Sequence, residues 1–267
     1  MTEHSPADDL AVALTLAAEA DLVSLDRYRA ADLDVSLKAD RTHVTDADRR
    51  VESVLREHLA RVRPGDAILG EEFGALGDSR RQWILDPIDG TANFLRGVPN
   101  WGTLIALAVD GVPLVGVVSA PALGRRWWAA TGGGAWLQEG TDREAGHPAP
   151  RRLRVSSVDE LAEASVSYQS FQGWDREGRG EQLSALNRAV WRTRAYGDVW
   201  GHMLVAEGAL DAAAEFDVKP WDIAPIAPII REAGGRFTSA DGEDDITSGS
   251  ILVSNGTLHE RMLELIR

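Results

Sequence analysis

The residues best suited to chemistry lie in one short segment, Trp83-Ile84-Leu85-Asp86-Pro87-Ile88-Asp89-Gly90-Thr91-Ala92-Asn93-Phe94. Its three apolar residues predict a buried strand that delivers Asp86 at its end. Pro87 has no N–H to donate and is expected to stop the ladder in a turn. Asp89 follows three residues on, so both carboxylates can bear on one ion. Hard divalent cations take such oxygen ligands, and Mg²⁺ leaves its remaining positions to water or phosphate. The Ile88 carbonyl between the acids is a further oxygen donor, Gly90 permits close backbone approach, and Thr91 adds a hydroxyl. A helix starting there would offer its first N–H groups to a phosphate. The same spacing also suits an Asx-turn with a helix cap, in which Asp89 and Thr91 only satisfy backbone donors.

Two other segments carry acids of the same kind. Gly70-Glu71-Glu72 closes a strand-like run with an acidic pair, which alone reads as a solvated turn. Pro220-Trp221-Asp222 places an acid where a helix begins, the position of an ordinary N-cap. No cysteine is present, so thiolate chemistry and disulfides are excluded, and the expected address is the reducing cytoplasm. The six histidines lack metal-ligand spacing and are expected to face solvent or the edge of the core.

These residues must be positioned by a chain of 267 residues, long enough for one large or two joined domains. Apolar periodicity predicts helices from Ser5–Pro6 through Leu25 and from Asp46 to Arg61. The second buries Val51, Val54, Leu55, Leu59 and Val62, with Thr45 and Asp48 as a capping box. Strands are expected at Ala67–Gly70 and Trp83–Asp86, with hairpins at Thr103–Ser119 and Arg125–Gln138. After a polar Gly/Pro connection, strands (Ala164–Tyr168, Arg194–Tyr196, Leu210–Phe216, Ser250–Val253) alternate with helices near Glu181–Val190, Val199–Glu207, Ile223–Glu232 and Leu258–Ile266. The expectation is an α+β part over residues 1–145 carrying most metal ligands. An α/β part over 146–267 would carry Asp222 and the specificity residues. With 28 Lys and Arg against 42 Asp and Glu, the formal charge is −14, which disfavours nucleic acid as a partner. The apolar runs, broken by Gly and Pro, fall short of a membrane span.

Taken in order, these segments resemble the inositol-monophosphatase-like superfamily of Mg²⁺-dependent, Li⁺-sensitive phosphatases. The matching residues are Lys38–Asp48 with Val44-Thr45-x-x-Asp48, Gly70-Glu71-Glu72, Trp83–Phe94, Gly97-x-Pro99, and Trp221-Asp222 followed by Glu232-Ala233-Gly234-Gly235. The resemblance spans nearly the whole chain. It implies a layered αβαβα fold, two or three Mg²⁺ ions, a small phosphate-ester substrate and a homodimer, with the Trp-rich 127–136 hairpin as a candidate contact. By position, Glu71 and Asp86 with the Ile88 carbonyl match a first metal site, and Asp86, Asp89 and Asp222 a second. Glu71 would also hold the attacking water, Thr91 would orient it, and the N–H groups of Gly90 and Thr91 would hold the phosphate. Many inositol-type members carry an acid where this chain has Thr42; here Asp40 is the expected carboxylate partner of Thr91, unless it is a surface loop residue.

Substrate choice is expected on the second half. Gly197-Asp198-Val199-Trp200-Gly201 stands where inositol-type members show Gly-Ser-Ala-Ala, and Glu215 lies seven residues before Asp222. Asp198 and Glu215 suit an ammonium and an imidazole, a pattern similar to the histidinol-phosphate phosphatase branch. Asp198 also suits a helix cap, and Glu215 a strand-end surface charge. The alternatives are an inositol-1-phosphate or sugar-phosphate phosphatase, a 3'-phosphoadenosine 5'-phosphate phosphatase, and a silent regulatory protein that kept the fold.

Overall fold

The computed structural model describes residues 4–37, 43–140 and 148–267. Among these, the strands form an eight-stranded sheet, a five-stranded sheet and a small two-stranded ladder pairing Val35–Leu37 with His43–Thr45. From one edge, the larger sheet runs Arg151–Arg152, Ala135–Glu139, Arg125–Ala130, Val112–Ala120, Gly102–Val109, Arg81–Asp89, Ala67–Gly70, Gly74–Leu76. Its pairs are antiparallel except Ala67–Gly70 beside Arg81–Asp89, which is parallel. The smaller sheet runs Arg192–Arg194, Ser165–Tyr168, Ala212–Phe216, Ser250–Ser254, Arg236–Thr238.

Strand alternation decides what each face of the larger sheet covers. Trp83, Leu85, Ile105, Leu107, Val115 and Val117 face outward onto the two amphipathic helices Pro6–Arg27 and Asp46–Val62. Those helices answer with Ala13, Leu16, Ala17, Ala20, Val51, Leu55 and Leu59. Ile84, Leu104, Ala106, Val118 and Trp127 face the other way, onto helices Asp198–Ala206 and Ile226–Glu232. Beyond these lies the smaller sheet, through Ala213, Ile251 and Val253. Its far face buries Val166, Ala212, Ala214 and Leu252 against Phe171–Arg176, Gly180–Ala189 and His259–Ile266. The layers are therefore αβαβα, an α/β fold with one core shared across the middle helices. No helix among the described residues is long and apolar enough to cross a membrane.

Both capping boxes form: Ser5 with Asp8, and Thr45 with Asp48. Several sequence expectations need correction. Val62, the last residue of the second helix, is exposed rather than buried. The predicted Ile223–Glu232 helix is two, Pro220–Ile223 and Ile226–Glu232, broken beside Pro225. His202 and His259 are buried, not peripheral. His259 sits between the hydroxyls of Thr238 and Ser254, and burial holds its pKa down to about 4.

The middle helices approach the larger sheet most closely at Gly116, where a Cβ would stand 2.1 Å from the Pro225 carbonyl oxygen. Gly116→Ala is expected to cost at least about 2 kcal/mol by forcing these layers apart, read as a fall in the denaturation midpoint of the purified protein.

Candidate active site

The central strand does not stop at Pro87. It runs from Arg81 to Asp89, with a break in register between Asp86, opposite Leu104, and Asp89, opposite Gly102. In a regular strand two residues three apart point to opposite faces. The extra residue of this bulge turns Asp89 back onto the face that carries Asp86. That face, shared with Ile84, looks toward the middle helices. Pro87 is accommodated within the bulge, where its carbonyl accepts from the Thr103 hydroxyl at 2.8 Å.

The parallel pair supplies the next acid. Gly70 lies opposite Leu85, and the Glu71 N–H donates to the Leu85 carbonyl at 3.2 Å, so the shorter strand ends with Glu71 beside Asp86. Asp222 arrives from the short helix Pro220–Ile223, where its Oδ2 accepts from the Lys219 N–H at 2.7 Å. Asp222 is therefore not the N-cap that its position suggested: Lys219 is, and Asp222, third in the helix, closes back on the Lys219 N–H while its carboxylate still reaches the other acids. One ligating oxygen each from Asp86, Asp89 and Asp222 lie within 4.8 Å of one another, a group able to hold a metal ion. Glu71 stands beside this trio, within hydrogen-bonding reach of Asp86.

The second half of the chain adds two more acids to the same place. Asp198 opens its helix in the left-handed region at φ +48°, following Gly197. It makes no capping bond; its Oδ2 accepts from Asn93 Nδ2 at 2.6 Å instead. The next N–H, of Val199, donates to Asp89 Oδ2 at 2.8 Å, so this helix start holds the central strand's acid. Asn93 also donates to the Asn100 carbonyl, and Asn100 to that of Tyr196, which ties the D-G-T-x-N segment to the turn before Asp198. Gly90 makes this approach possible: at φ +79° its Cβ would stand 3.0 Å from the Asn100 oxygen and 3.3 Å from Asp198 Oδ2. Glu215 is buried on strand Ala212–Phe216, not at the surface, with Oε1 3.5 Å from His202 Nε2.

Crowding sets the electrostatics. Burial first, then the charges of Glu71, Asp89 and Asp222, pushes the Asp86 pKa well above the carboxylate range. Asp89 is raised in the same way by burial and then by Asp198 and Asp222. Asp198 is raised to about 7, mainly by burial and then by Glu215 and Asp222, and burial likewise brings Asp222 to about 7. An all-oxygen set of carboxylates that repel one another is the donor chemistry a hard divalent cation requires. The Ile88 carbonyl already accepts from Thr91 Oγ1 at 3.0 Å and keeps a second lone pair, while the Ile88 N–H closes an Asx-type bond to Asp86 Oδ1.

Asp40 lies outside the described residues. Among the described ones, Asp48 is the carboxylate next to Thr91, with Oδ1 3.4 Å from its hydroxyl. Asp48 is buried, and its pKa is raised by desolvation against the bonds it accepts from Thr45. In the sequence Asp48 reads only as a capping acid, although it closes the matching segment Val44-Thr45-x-x-Asp48, and nothing in the local sequence of Asn93 points to its bond with Asp198.

The inositol monophosphatase family model matches residues 6–267. A histidinol-phosphatase of Mycobacterium tuberculosis is 54% identical over 257 residues, 96% of each chain. One from Streptomyces coelicolor is 50% identical over 260 residues, again 96% of each. Among solved structures, the extragenic suppressor protein SuhB of Bartonella henselae superposes with a TM-score of 0.84 at 28% identity, over 96% of this chain and 97% of that one. With the acid-bearing strand, its bulge and the αβαβα layering in agreement, the chain belongs to the inositol monophosphatase family.

Proposed function

We propose that this chain is a Mg²⁺-dependent phosphatase that hydrolyses L-histidinol phosphate to L-histidinol and phosphate, a step of histidine biosynthesis. The observation that carries the reading is the convergence of Asp86, Asp89 and Asp222 on one point, with Asp198 and Glu215 beside them. The two histidinol-phosphatases at 54% and 50% identity support the choice of ester. Two or three Mg²⁺ ions, lithium sensitivity, a homodimer and a cytoplasmic address belong to the same proposal.

Glu71, Asp86, Asp89, Asp222 and the Ile88 carbonyl would hold the ions. When bound, Mg²⁺ neutralises the phosphate oxygens, activates water and stabilises the leaving alkoxide. The chain's own residues do the rest. Glu71 positions the attacking water, and the Thr91 hydroxyl, held between the Ile88 carbonyl and Asp48, orients it and passes a proton toward Asp48. The N–H groups of Gly90 and Thr91 face the phosphate. Asp198 keeps one carboxylate oxygen on Asn93, leaving the other for a cationic donor, and Glu215 accepts a second. A ring of neutral hydroxyls would leave that pair of charges uncompensated, which disfavours an inositol phosphate.

Comparing kcat/KM for histidinol phosphate, inositol-1-phosphate and 3'-phosphoadenosine 5'-phosphate with Mg²⁺ tests the ester; equal values for all three would defeat it. Asp198→Asn should lower kcat/KM for histidinol phosphate about 10- to 100-fold and leave an aryl phosphate nearly unchanged.

Asp48→Asn removes the proton acceptor beside Thr91. It should cut kcat on every ester by about 10²-fold or more while KM holds, measured by steady-state phosphate release.

Metal and pH should be linked. In the metal-free chain the raised carboxyls bind more protons folded than unfolded. That stabilisation is full below the ordinary carboxylate value of 3.8, falls progressively as pH rises from there to about 7, and is gone above about 7. A cation needs the deprotonated acids, so the rise in melting temperature on adding Mg²⁺ should be larger at about pH 8 than at about pH 6. Differential scanning fluorimetry at the two pH values reads this, and Asp89→Asn should shrink the Mg²⁺ effect at both.

A further inference from the structure

Glu52 is a glutamate with no solvent exposure, in a helix whose other buried residues pack as apolar core or cap its start. A buried carboxylate is costly unless its oxygens are occupied, and these are. Oε2 accepts from the Glu72 N–H at 2.7 Å; Oε1 accepts from the Phe73 N–H at 3.2 Å and from Arg56 Nε at 2.7 Å. Arg56, one helical turn on, completes the grip: its second nitrogen donates to the Gly74 carbonyl, and its guanidinium lies over the Phe73 ring at 5.7 Å. Two helix residues thus clamp the turn 71–73 through the N–H groups of its last two residues and the Gly74 carbonyl that follows it. Glu71 is the first residue of that turn.

Gly70 shows that the clamp is built in. Strand alternation turns residue 70 toward the helix, as it does Ile68, and Glu71 follows in the turn beside the acid cluster. A Cβ at position 70 would stand 2.0 Å from Glu52 Oε1, so the carboxylate occupies the space where any other residue's side chain would lie. Nothing in the apolar packing of this helix against the sheet requires a charge there.

We propose that Glu52 is a positioning residue of the metal site: through the N–H groups of Glu72 and Phe73 it fixes the backbone that aims Glu71 at Asp86. The inference rests on the reading of Glu71 as a metal residue. Glu52 touches neither substrate nor ion; it acts by holding the end of the parallel strand in one conformation, so that the Glu71 carboxylate arrives already oriented. Glu52→Gln keeps the size and one acceptor oxygen but puts an amide nitrogen against a backbone donor or Arg56.

The test is the Mg²⁺ dependence of aryl phosphate hydrolysis, which avoids the specificity residues. Glu52→Gln should raise the half-saturating Mg²⁺ concentration about tenfold or more, with kcat at saturating Mg²⁺ and substrate KM close to wild type. A lowered melting temperature with Mg²⁺ half-saturation within about twofold of wild type would mean a purely structural acid and overturn the proposal. Gly70→Ala gives a second route to the same displacement and should move Mg²⁺ half-saturation in the same direction. In a Glu52→Ala background the added methyl meets no carboxylate and should have no further effect; full additivity would overturn the proposal. Glu71→Gln separates the two ideas. If it leaves Mg²⁺ dependence unchanged, the metal reading of Glu71 itself fails; if it shifts that dependence while Glu52→Gln does not, only the role of Glu52 fails.

Discussion

The mutual repulsion of carboxylates is the constraint on which this molecule is organised. Glu71, Asp86, Asp89, Asp198, Glu215 and Asp222 come from both halves of the chain and meet in a place poor in water. Like charges at such separations cannot all ionise in a low-dielectric setting, and the pKa values of Asp86, Asp89, Asp198 and Asp222 rise accordingly. Burial and neighbouring carboxylates raise all four, and what Lys219 gives Asp222 is a backbone N–H, its ammonium being paired with Asp217 instead. A structural core would supply cations, as the Asp9, Asp66, Arg63 and Arg81 network does at the opposite end of the central strand. The contrast distinguishes an acid cluster that stabilises the fold from one that must be completed by something bound.

Several irregular features of the fold follow from that gathering. One parallel pair in an otherwise antiparallel sheet brings Glu71 level with Asp86. One bulge puts Asp89 on the side of Asp86. Asp198, one of four non-glycine residues at positive φ among the described residues, is held there by Asn93 while its neighbour's N–H caps Asp89. Left-handed backbone at such a residue costs of order 1 kcal/mol or more, and the bonds around it keep it in place. The middle helices carry Asp198 and lead on from Asp222. The layer that seals the core between the sheets therefore also closes the site, and packing and chemistry are not separable there.

Much of this was legible in the sequence, for local reasons. A run of apolar residues ending in Asp86 reads as a buried strand delivering an acid, and Pro220 followed by Asp222 reads as a helix start. Both readings hold, although Pro87 bends the strand without ending it. The layered fold and the meeting of Glu71 with Asp222 were accessible only through the family resemblance, because no spacing connects residues so far apart. Asp48 and Glu52 escaped for a different reason. In the sequence, Asp48 is fully accounted for as a capping acid, and Glu52 is one charge among many on an amphipathic helix. What makes them matter is a partner 43 residues away in one case and 20 in the other. Val62 failed in the opposite sense: periodicity placed it on the buried stripe, but the helix had reached the end of the sheet it packs on.

Catalysis and recognition divide along the same physical line. Cations can neutralise the acids at the bulge whatever ester is bound, so that half of the site is indifferent to the leaving group. Asp198 and Glu215 stand beside Asp89, and on the proposed reading the charge that balances them comes from the substrate's organic part. A neutral polyol would have to replace their hydration with hydroxyl donors alone, whereas an ammonium or a protonated imidazole brings charge as well as hydrogen bonds. His202 bears on this balance from behind. It is buried against Glu215, and its Nδ1 finds no hydrogen-bond partner among the described residues. On the function proposed above, selectivity comes from how much negative charge is left once the metal acids are satisfied, and a substrate is chosen by its ability to cancel the remainder.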